Sequence, residues 1–529
     1  MKAIGFKNFR RFENFPEMNL GGVNFLVGAN NSGKSTVTKA TLLVRNFLLQ
    51  QVFSTGRYSK INTSNDYEVI RPRFTFDVTE PYDVSICTVK NALCNHAKDN
   101  TMQFSCEYDE IKFIIDLLVN DELTNETDAS VECLTIIDNK NSISYTIDYS
   151  KNLLTIQLLK QESESNEQSI ESLYEELKEL ENSLQTETDF AKIAEINQEI
   201  QLLRNLISIK TTNKNQGKIT MPIPFDSTQW NGTSYLLAFF VNLLNLSATD
   251  YHLPDDLPNK TYWNKELKNI KNFLHTENHT LFSSFELIGN IINMSIEDIP
   301  AHYVRQQIFY NTKDHNDEMA KNIHDYMSMD AETYYQASGE KLPGRLFIEK
   351  WMKPGMLEIG DDFRIVSHGE AYEIDILEDD KWMPLANKGM GSIQIMMVLI
   401  KLATFIQKYG SSKSKPTIFV EEPERNLHPK MQSLLTEVFY ELNKEYSFQF
   451  IIETHSEYLI RKSQVIVAKQ IKEAPDSPIA FAVYYFPRKG VPYSMRYLPT
   501  GRFENKFDSG FFDEASRFNI ELTKLERGL

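Results

Sequence analysis

The sequence predicts an α/β fold, and three observations carry that prediction. From Leu346 onward, short apolar strands alternate with helical stretches, the pattern of a parallel sheet covered on both faces. Near the N-terminus a glycine-rich turn, "GANNSGKS", joins an apolar strand to a helix. Between these halves, residues 69–158 alternate apolar and polar side chains ("RFTFDV", "KFIIDLLV", "SISYTIDY"), as a half-buried β-rich lobe does.

Taken in order, the first strand of note runs Val23–Val27, and a helix from Lys34 to Gln50 carries the stripe Val37, Leu42, Leu43, Phe47 and Leu48. Residues 1–160 thus form one N-terminal part with the β-rich lobe. Residues 161–210 change character. Ile170, Leu173, Leu177, Leu180 and Leu184, then Ile193, Ile196, Ile200, Leu203 and Ile207, step by three and four, which is coiled-coil spacing. "QTETDFAK" breaks the register between the two runs. An antiparallel helical hairpin is the preferred reading, and one continuous helix with a skip also fits. Residues 211–345 read as a mainly helical insertion.

Residues 346–529 complete the sheet. "DFRIVS" and "AYEIDILEDDKWMPL" predict a hairpin with an acidic turn at Glu378–Asp380. Then come a long apolar helix ("SIQIMMVLIKLATFIQKYG"), a strand ("PTIFVEE"), a helix ("KMQSLLTEVFYELNKEY") and a strand ("SFQFIIETHS").

Composition bounds the function. With 529 residues, two or three structural units are expected. A net charge of -17 argues against non-specific wrapping of DNA, though not against a local basic patch. Cys87, Cys94, Cys106 and Cys133 show no CxxC spacing and predict reduced thiols rather than a zinc site or a disulfide framework. "MKAIGFKNFRRF" lacks the apolar core of a signal peptide, and the apolar run Ser234–Leu246 is too short to span a bilayer. A cytoplasmic protein without membrane attachment is the expectation.

Four motifs carry the chemistry. "GANNSGKS" fits G-x-x-x-x-G-K-[ST]. Gly28 and Gly33 give the loop its backbone freedom. Backbone amides across Asn30, Asn31, Ser32 and Thr36 face the phosphates of ATP, Lys34 meets the β- and γ-phosphates, and the Ser35 hydroxyl binds Mg²⁺. In "FVEEPERNLHP", two adjacent carboxylates end a strand expected beside that loop. Repulsion between them is relieved by a cation: Glu421 holds magnesium through water, and Glu422 deprotonates the attacking water. His455, in "IIETHSEYL", ends the next strand and is placed to bond the γ-phosphate. "NKGMGSIQ" supplies a second anion-binding nest at a helix start through Gly389, Gly391 and Ser392. A second nest is useful when presented to a neighbour, so a head-to-tail homodimer with ATP at the shared surface is expected.

Phosphate loop, glycine-rich signature, carboxylate strand and "THS" follow the order of ABC-type ATPases, and the chain resembles their OLD-like branch, near SMC and RecF proteins. "IGFKNFRRFENF" resembles the first hairpin of that branch and "IPAHYVRQQIFY" its internal Pro/Arg segment; residues 1–60 and 295–529 carry the likeness. The resemblance implies an ABC-type P-loop ATPase in which Lys34 and Ser35 are the phosphate-loop pair and Glu421 the metal-side carboxylate. It makes Glu422 the base, His455 the switch histidine, and Gly389, Gly391, Ser392 and Gln394 the signature acting in trans. Asn426 and His428 fall in the loop after the carboxylates, and Gln50 and Gln51 are candidates for the Q-loop. The branch places serine directly before the signature glutamine; here Ile393 stands there, which implies slow turnover. Ser456–Leu529 holds no spaced carboxylate cluster of the TOPRIM nuclease kind, so no nuclease activity is expected, while "GFFDEA" resembles the end of stand-alone OLD-like ATPases. Such ATPases accompany a separate nuclease or toxin in anti-phage systems such as Septu, PARIS and retrons. The alternatives are a RecF- or SMC-like repair ATPase whose dimer clamps DNA and, with less support, a transporter's nucleotide-binding subunit.

Overall fold

The computed structural model describes residues 1–52, 58–62, 68–78, 88–119, 126–140, 143–151, 153–158, 218–222, 291–294, 318–328, 339–368, 371–413, 415–508 and 511–527, with a few single positions between them. It divides into two compact units, one of Met1–Arg45, Val78–Val84 and Glu286–Leu529, the other of Asn46–Asp77 and Ser85–Phe285. The heptad segment at 161–210 (isolated helical positions aside), the apolar run at 234–246 and the Pro/Arg segment at 299–310 lie outside the described residues.

The chain opens with a hairpin of β1 (Ala3–Phe9) and β2 (Phe12–Asn19), pinned by mutual packing of the Phe6, Phe9, Phe12 and Phe15 rings. β3 (Val23–Gly28) follows, and the glycine-rich loop leads into α1 (Lys34–Val52). The Asn24 side chain fixes the start of β3 by bonding the Gly21 and Phe450 carbonyls.

The second unit is antiparallel. It holds β4 (Tyr58–Asn62), β5 (Glu68–Thr75), the short α2 (Val89–Ala92), β6 (Thr101–Tyr108), β7 (Ile111–Leu118), β8 (Asp128–Asp138), β9 (Ile143–Asp148), β10 (Leu153–Leu158) and β11 (Lys218–Pro222). Strands β6 to β11 pair in chain order, β5 joins the end of β8, and β4 pairs with β5. Burial alternates strictly along β6 and β7, so the period-two pattern of the sequence fixes which face is buried. Phe74 stacks on Phe104 in that core. Cys94 and Cys106 are buried free thiols and Cys133 a partly buried one; burial raises the Cys133 pKa to about 11.

The first unit resumes with β12 (Ile291–Met294), α3 (Glu318–Met327), α4 (Pro343–Trp351), β13 (Asp362–His368), β14 (Ala371–Glu378) and β15 (Lys381–Pro384). It continues with α5 (Met390–Tyr409), β16 (Thr417–Glu421), α6 (Pro429–Tyr446), β17 (Gln449–Thr454), α7 (Glu457–Glu473), β18 (Phe481–Phe486), β19 (Tyr493–Ser494) and α8 (Glu514–Glu526). Two strands, β11 and β12, thus fall in the segment expected to be mainly helical. The predicted hairpin is a three-stranded sheet, and Asp379 and Asp380, at φ 50° and 59°, make the tight β14–β15 turn.

The central sheet runs β12–β16–β17–β3–β18–β19, parallel except for its last pair. Val23, Phe25 and Val27 of β3, Ile418 and Val420 of β16, and Phe450 and Ile452 of β17 enter one core with α4, α5 and α6. On the opposite parity, Leu26, Phe419 and Ile451 are buried as well. Both faces are covered, which is why these strands read as continuous apolar runs. Among the described residues one helix, α5, is long and apolar enough to cross a membrane, but it is the core helix of this sheet and 72% of its apolar window is buried.

Candidate functional site

The site forms at the C-terminal ends of β3, β17 and β16, where loops leave a parallel sheet and helix N-termini point back at them. The loop after β3 needs its glycines. A Cβ on Gly28 would lie 2.3 Å from the Phe486 carbonyl oxygen, and Gly33 sits at φ 97° with Phe12 and Arg11 against it. Asn31, at φ 59°, makes a second left-handed turn in the loop, and the Thr36 amide bonds the Gly33 carbonyl. Arg11 clamps the loop from outside, donating to the Asn31 carbonyl at 2.6 Å and to the Arg488 carbonyl at 2.8 Å.

Lys34 folds back into the cradle. Its Nζ donates to the Gly28 and Ala29 carbonyls at 3.0 and 3.2 Å and lies 3.1 Å from His455 Nε2. Burial lowers the pKa of Lys34, opposed by Glu453, Glu422 and Glu424. His455 is lowered too, first by burial and then by the Lys34 charge. An ammonium can only donate, so Nε2 of a neutral His455 is the acceptor and the ring proton sits on Nδ1.

Glu422 stands just past the end of β16 at φ 43°, a left-handed conformation unusual for a glutamate. Its amide bonds the Glu453 carbonyl at 2.8 Å, and its carboxylate lies 3.7 Å from His455 Nε2 and 3.7 Å from Arg425 Nε. A strained backbone held by a neighbouring strand is typical of functional positions.

Two placements differ from expectation. Glu421 does not end the strand beside the phosphate loop: β17 lies between β16 and β3, so Glu421 is one strand further out, in register with Glu453. The pKa of Glu421 is raised by partial withdrawal from water, with Lys39 opposing and Glu422 adding to the shift. Gln394 is 5% exposed, turned inward with its Oε1 accepting from Asn426 Nδ2 at 3.2 Å, so its side chain is not presented to a neighbour. The loop 422–428 packs against the start of α5 and captures it. Gly389 is the N-cap of α5, with no side-chain cap bond, and Gly391 and Ser392 lie in its first turn. Asn426 (φ 58°) shapes the loop and His428 caps α6 through the Lys430 amide. Gln50 and Gln51 end α1, where side chains lie outside the described residues.

Two residues were missed by sequence reasoning. Glu453, 5% exposed, accepts the Ser35 hydroxyl at 2.9 Å and the Thr38 hydroxyl at 2.9 Å. Burial and the adjacent Glu421 push its pKa up to about 7. Glu424 is buried and accepts the His455 amide at 2.7 Å, tying the carboxylate loop to the histidine; burial raises its pKa. A third glutamate in "EEPE" and a glutamate directly before "THS" were the available signals.

The cradle suits a triphosphate. The Ser32 hydroxyl is buried inside the loop without a hydrogen-bond partner, an orphan that a phosphate oxygen would satisfy. Among the described residues no group of three or more His, Cys, Asp or Glu forms a metal cage. Magnesium needs none, since it takes one or two carboxylates with phosphate and water oxygens. Ser35 and, one strand further out, Glu421 are the residues that would hold it.

The family model of the AAA ATPase domain (AAA_15) matches residues 1–460. The chain belongs to that family. No curated protein matches the sequence. Among solved structures, this AAA ATPase is similar to the Smc head domain with an extended coiled coil bound to the C-terminal domain of ScpA, from Pyrococcus furiosus. That pair is 11% identical, with a TM-score of 0.30, over 99% of each chain. It is also similar to an SmcHead bound to the C-winged helix domain of ScpA (9% identical, TM-score 0.33, 93% of this chain and 96% of that one). A third is the SMC head domain from Thermotoga maritima (8% identical, TM-score 0.31, 94% and 98%).

Proposed function

We propose that this AAA ATPase binds Mg²⁺–ATP on the β3–α1 loop and hydrolyses it slowly with Glu422 as base, as the sensor or scaffold subunit that governs a separate nuclease or toxin in anti-phage defence. The observation that carries the enzymatic part is the convergence of Lys34, His455 and Glu422, from three separate segments, on one cradle. On binding, the Lys34 ammonium exchanges the Gly28 and Ala29 carbonyls for phosphate oxygens and releases His455. Glu422 takes a proton from water as the water oxygen bonds Pγ, and the bond from Pγ to the bridging oxygen breaks to give ADP and phosphate. Bound magnesium would supply charge neutralisation at the β- and γ-phosphates, held by Ser35 and, through water, Glu421. The nest at Gly389, Gly391 and Ser392 is offered to the partner of a homodimer. The effector role follows from the OLD-like resemblance, and a cytoplasmic location goes with it.

The decisive experiment is expression with the neighbouring genes, followed by purification. Co-elution of a nuclease or toxin that becomes active when Lys34→Ala removes nucleotide binding supports the sensor reading; a chain that purifies alone and binds DNA supports the second.

That second reading, a RecF- or SMC-like ATPase that grips DNA, is favoured by one feature. A groove of about 980 Å³ along α7 is lined by Arg461, Lys469, Lys472, Arg502 and Lys506 together with Asp508 and Asp513. Arg461 pairs with Glu457, but no ion-pair partner among the described residues takes up Lys469, Lys472, Arg502 or Lys506, in a chain of net charge -17. Arg11, by contrast, is spent on the phosphate loop. Phosphate binding there would give a steep salt dependence of DNA affinity, which Lys469→Glu with Lys472→Glu would flatten.

A further inference from the structure

Glu453 is the acid nearest the Ser35 hydroxyl, and nothing in the packing of β17 requires a carboxylate there. Its neighbours in the strand, Phe450, Ile451 and Ile452, are fully buried hydrophobics. Placing an ionisable group among them is costly unless its oxygens are used. Both are. Ser35 and Thr38 stand three residues apart on α1, hence on one face, and each donates its hydroxyl proton to a different Glu453 oxygen at 2.9 Å. Glu421 lies next to Glu453 across the β16–β17 register.

We propose that Glu453 is the positioning residue for the magnesium ion, acting through Ser35. A serine hydroxyl has one proton and two lone pairs. With the proton committed to Glu453, the lone pairs are aimed away from it, and a hard cation needs lone pairs rather than a proton. Thr38 holds the other carboxylate oxygen, so the acceptor cannot rotate off Ser35. Glu421 is then left to the metal's water shell, which fits its place one strand further out. The inference rests on the Mg²⁺–ATP reading of the loop and names a residue that reading does not use.

The test uses the full chain and a fluorescent ATP analogue, titrated first in EDTA and then with rising magnesium. Glu453→Gln keeps the shape but offers a single acceptor oxygen. We expect its metal-free nucleotide affinity to stay within about twofold of wild type, while half-saturating magnesium rises about 10-fold or more, the size usual for outer-shell partners of a metal ligand. In a Ser35→Ala background the same change should add almost nothing, because its route is gone. Glu453→Asp carries the same measurement should the glutamine variant not fold. Unchanged magnesium demand, an equal loss with and without metal, or full additivity with Ser35→Ala overturns the proposal. Wild-type protein that takes up no ATP analogue at any magnesium level overturns the nucleotide site itself, an outcome distinguishable from the others.

Discussion

At the scale of single residues, the site brings Lys34, His455 and Glu422 together on one cradle, with Glu421 beside Glu453. Glu422 keeps its left-handed backbone because its amide is anchored on β17. Glu422→Gln preserves that anchor and removes only the basicity, so ATP should still bind while hydrolysis in a phosphate-release assay falls about 100-fold or more. Hydrolysis at the native rate would remove Glu422 from its role. Lys34→Ala should abolish nucleotide binding and, with it, phosphate release in the same assay. His455 yields a pH prediction. Burial and then Lys34 hold its folded pKa below the unfolded value, so the unfolded chain binds the proton first. The stability it contributes is present above the ordinary histidine value of about 6.5 and is lost as pH falls through the depressed value. Urea unfolding of His455→Gln should show a shallower loss of stability below pH ~6.5 than wild type does; an identical slope would mean the histidine is not desolvated.

At the scale of elements, the loop between β3 and α1 works because a carbonyl of β18 crowds it. Gly28→Ala would drive a methyl into the Phe486 oxygen, costing about 1–3 kcal/mol by denaturant unfolding and displacing the phosphate amides. Strands β3, β16 and β17 were legible because a sheet buried on both faces makes short apolar runs bounded by turn residues. Their order was not. Sequence pattern carries no information on which strand stands beside which, so β17 between β16 and β3, and β18 on the far side of β3, emerge only in three dimensions. Glu453 escaped for a related reason. A single glutamate near a strand end looks like a solvent-facing residue until Ser35 and Thr38, more than four hundred positions earlier, are brought to it. Gln394 looked outward because the loop that covers it lies on a different element. "GFFDEA", read only as a terminal signature, anchors the C-terminal segment: Phe511 packs on Tyr485 of β18, and Phe512 on Phe507.

At the scale of the whole molecule, the proposed homodimer places ATP between one subunit's β3–α1 loop and its partner's α5 helix start. ATP together with Glu422→Gln should therefore drive self-association, measured as a doubling of mass by light scattering, and Lys34→Ala should stay at the lower mass. The β3–α1 loop, the end of β16 and the end of β17 are proposed to make one ATP site. Isothermal titration calorimetry of wild type, Glu422→Gln and Lys34→Ala with Mg²⁺–ATP tests it most directly. Saturable uptake by the first two and none by Lys34→Ala is the predicted result; no heat of binding from wild type, or undiminished binding by Lys34→Ala, would contradict it.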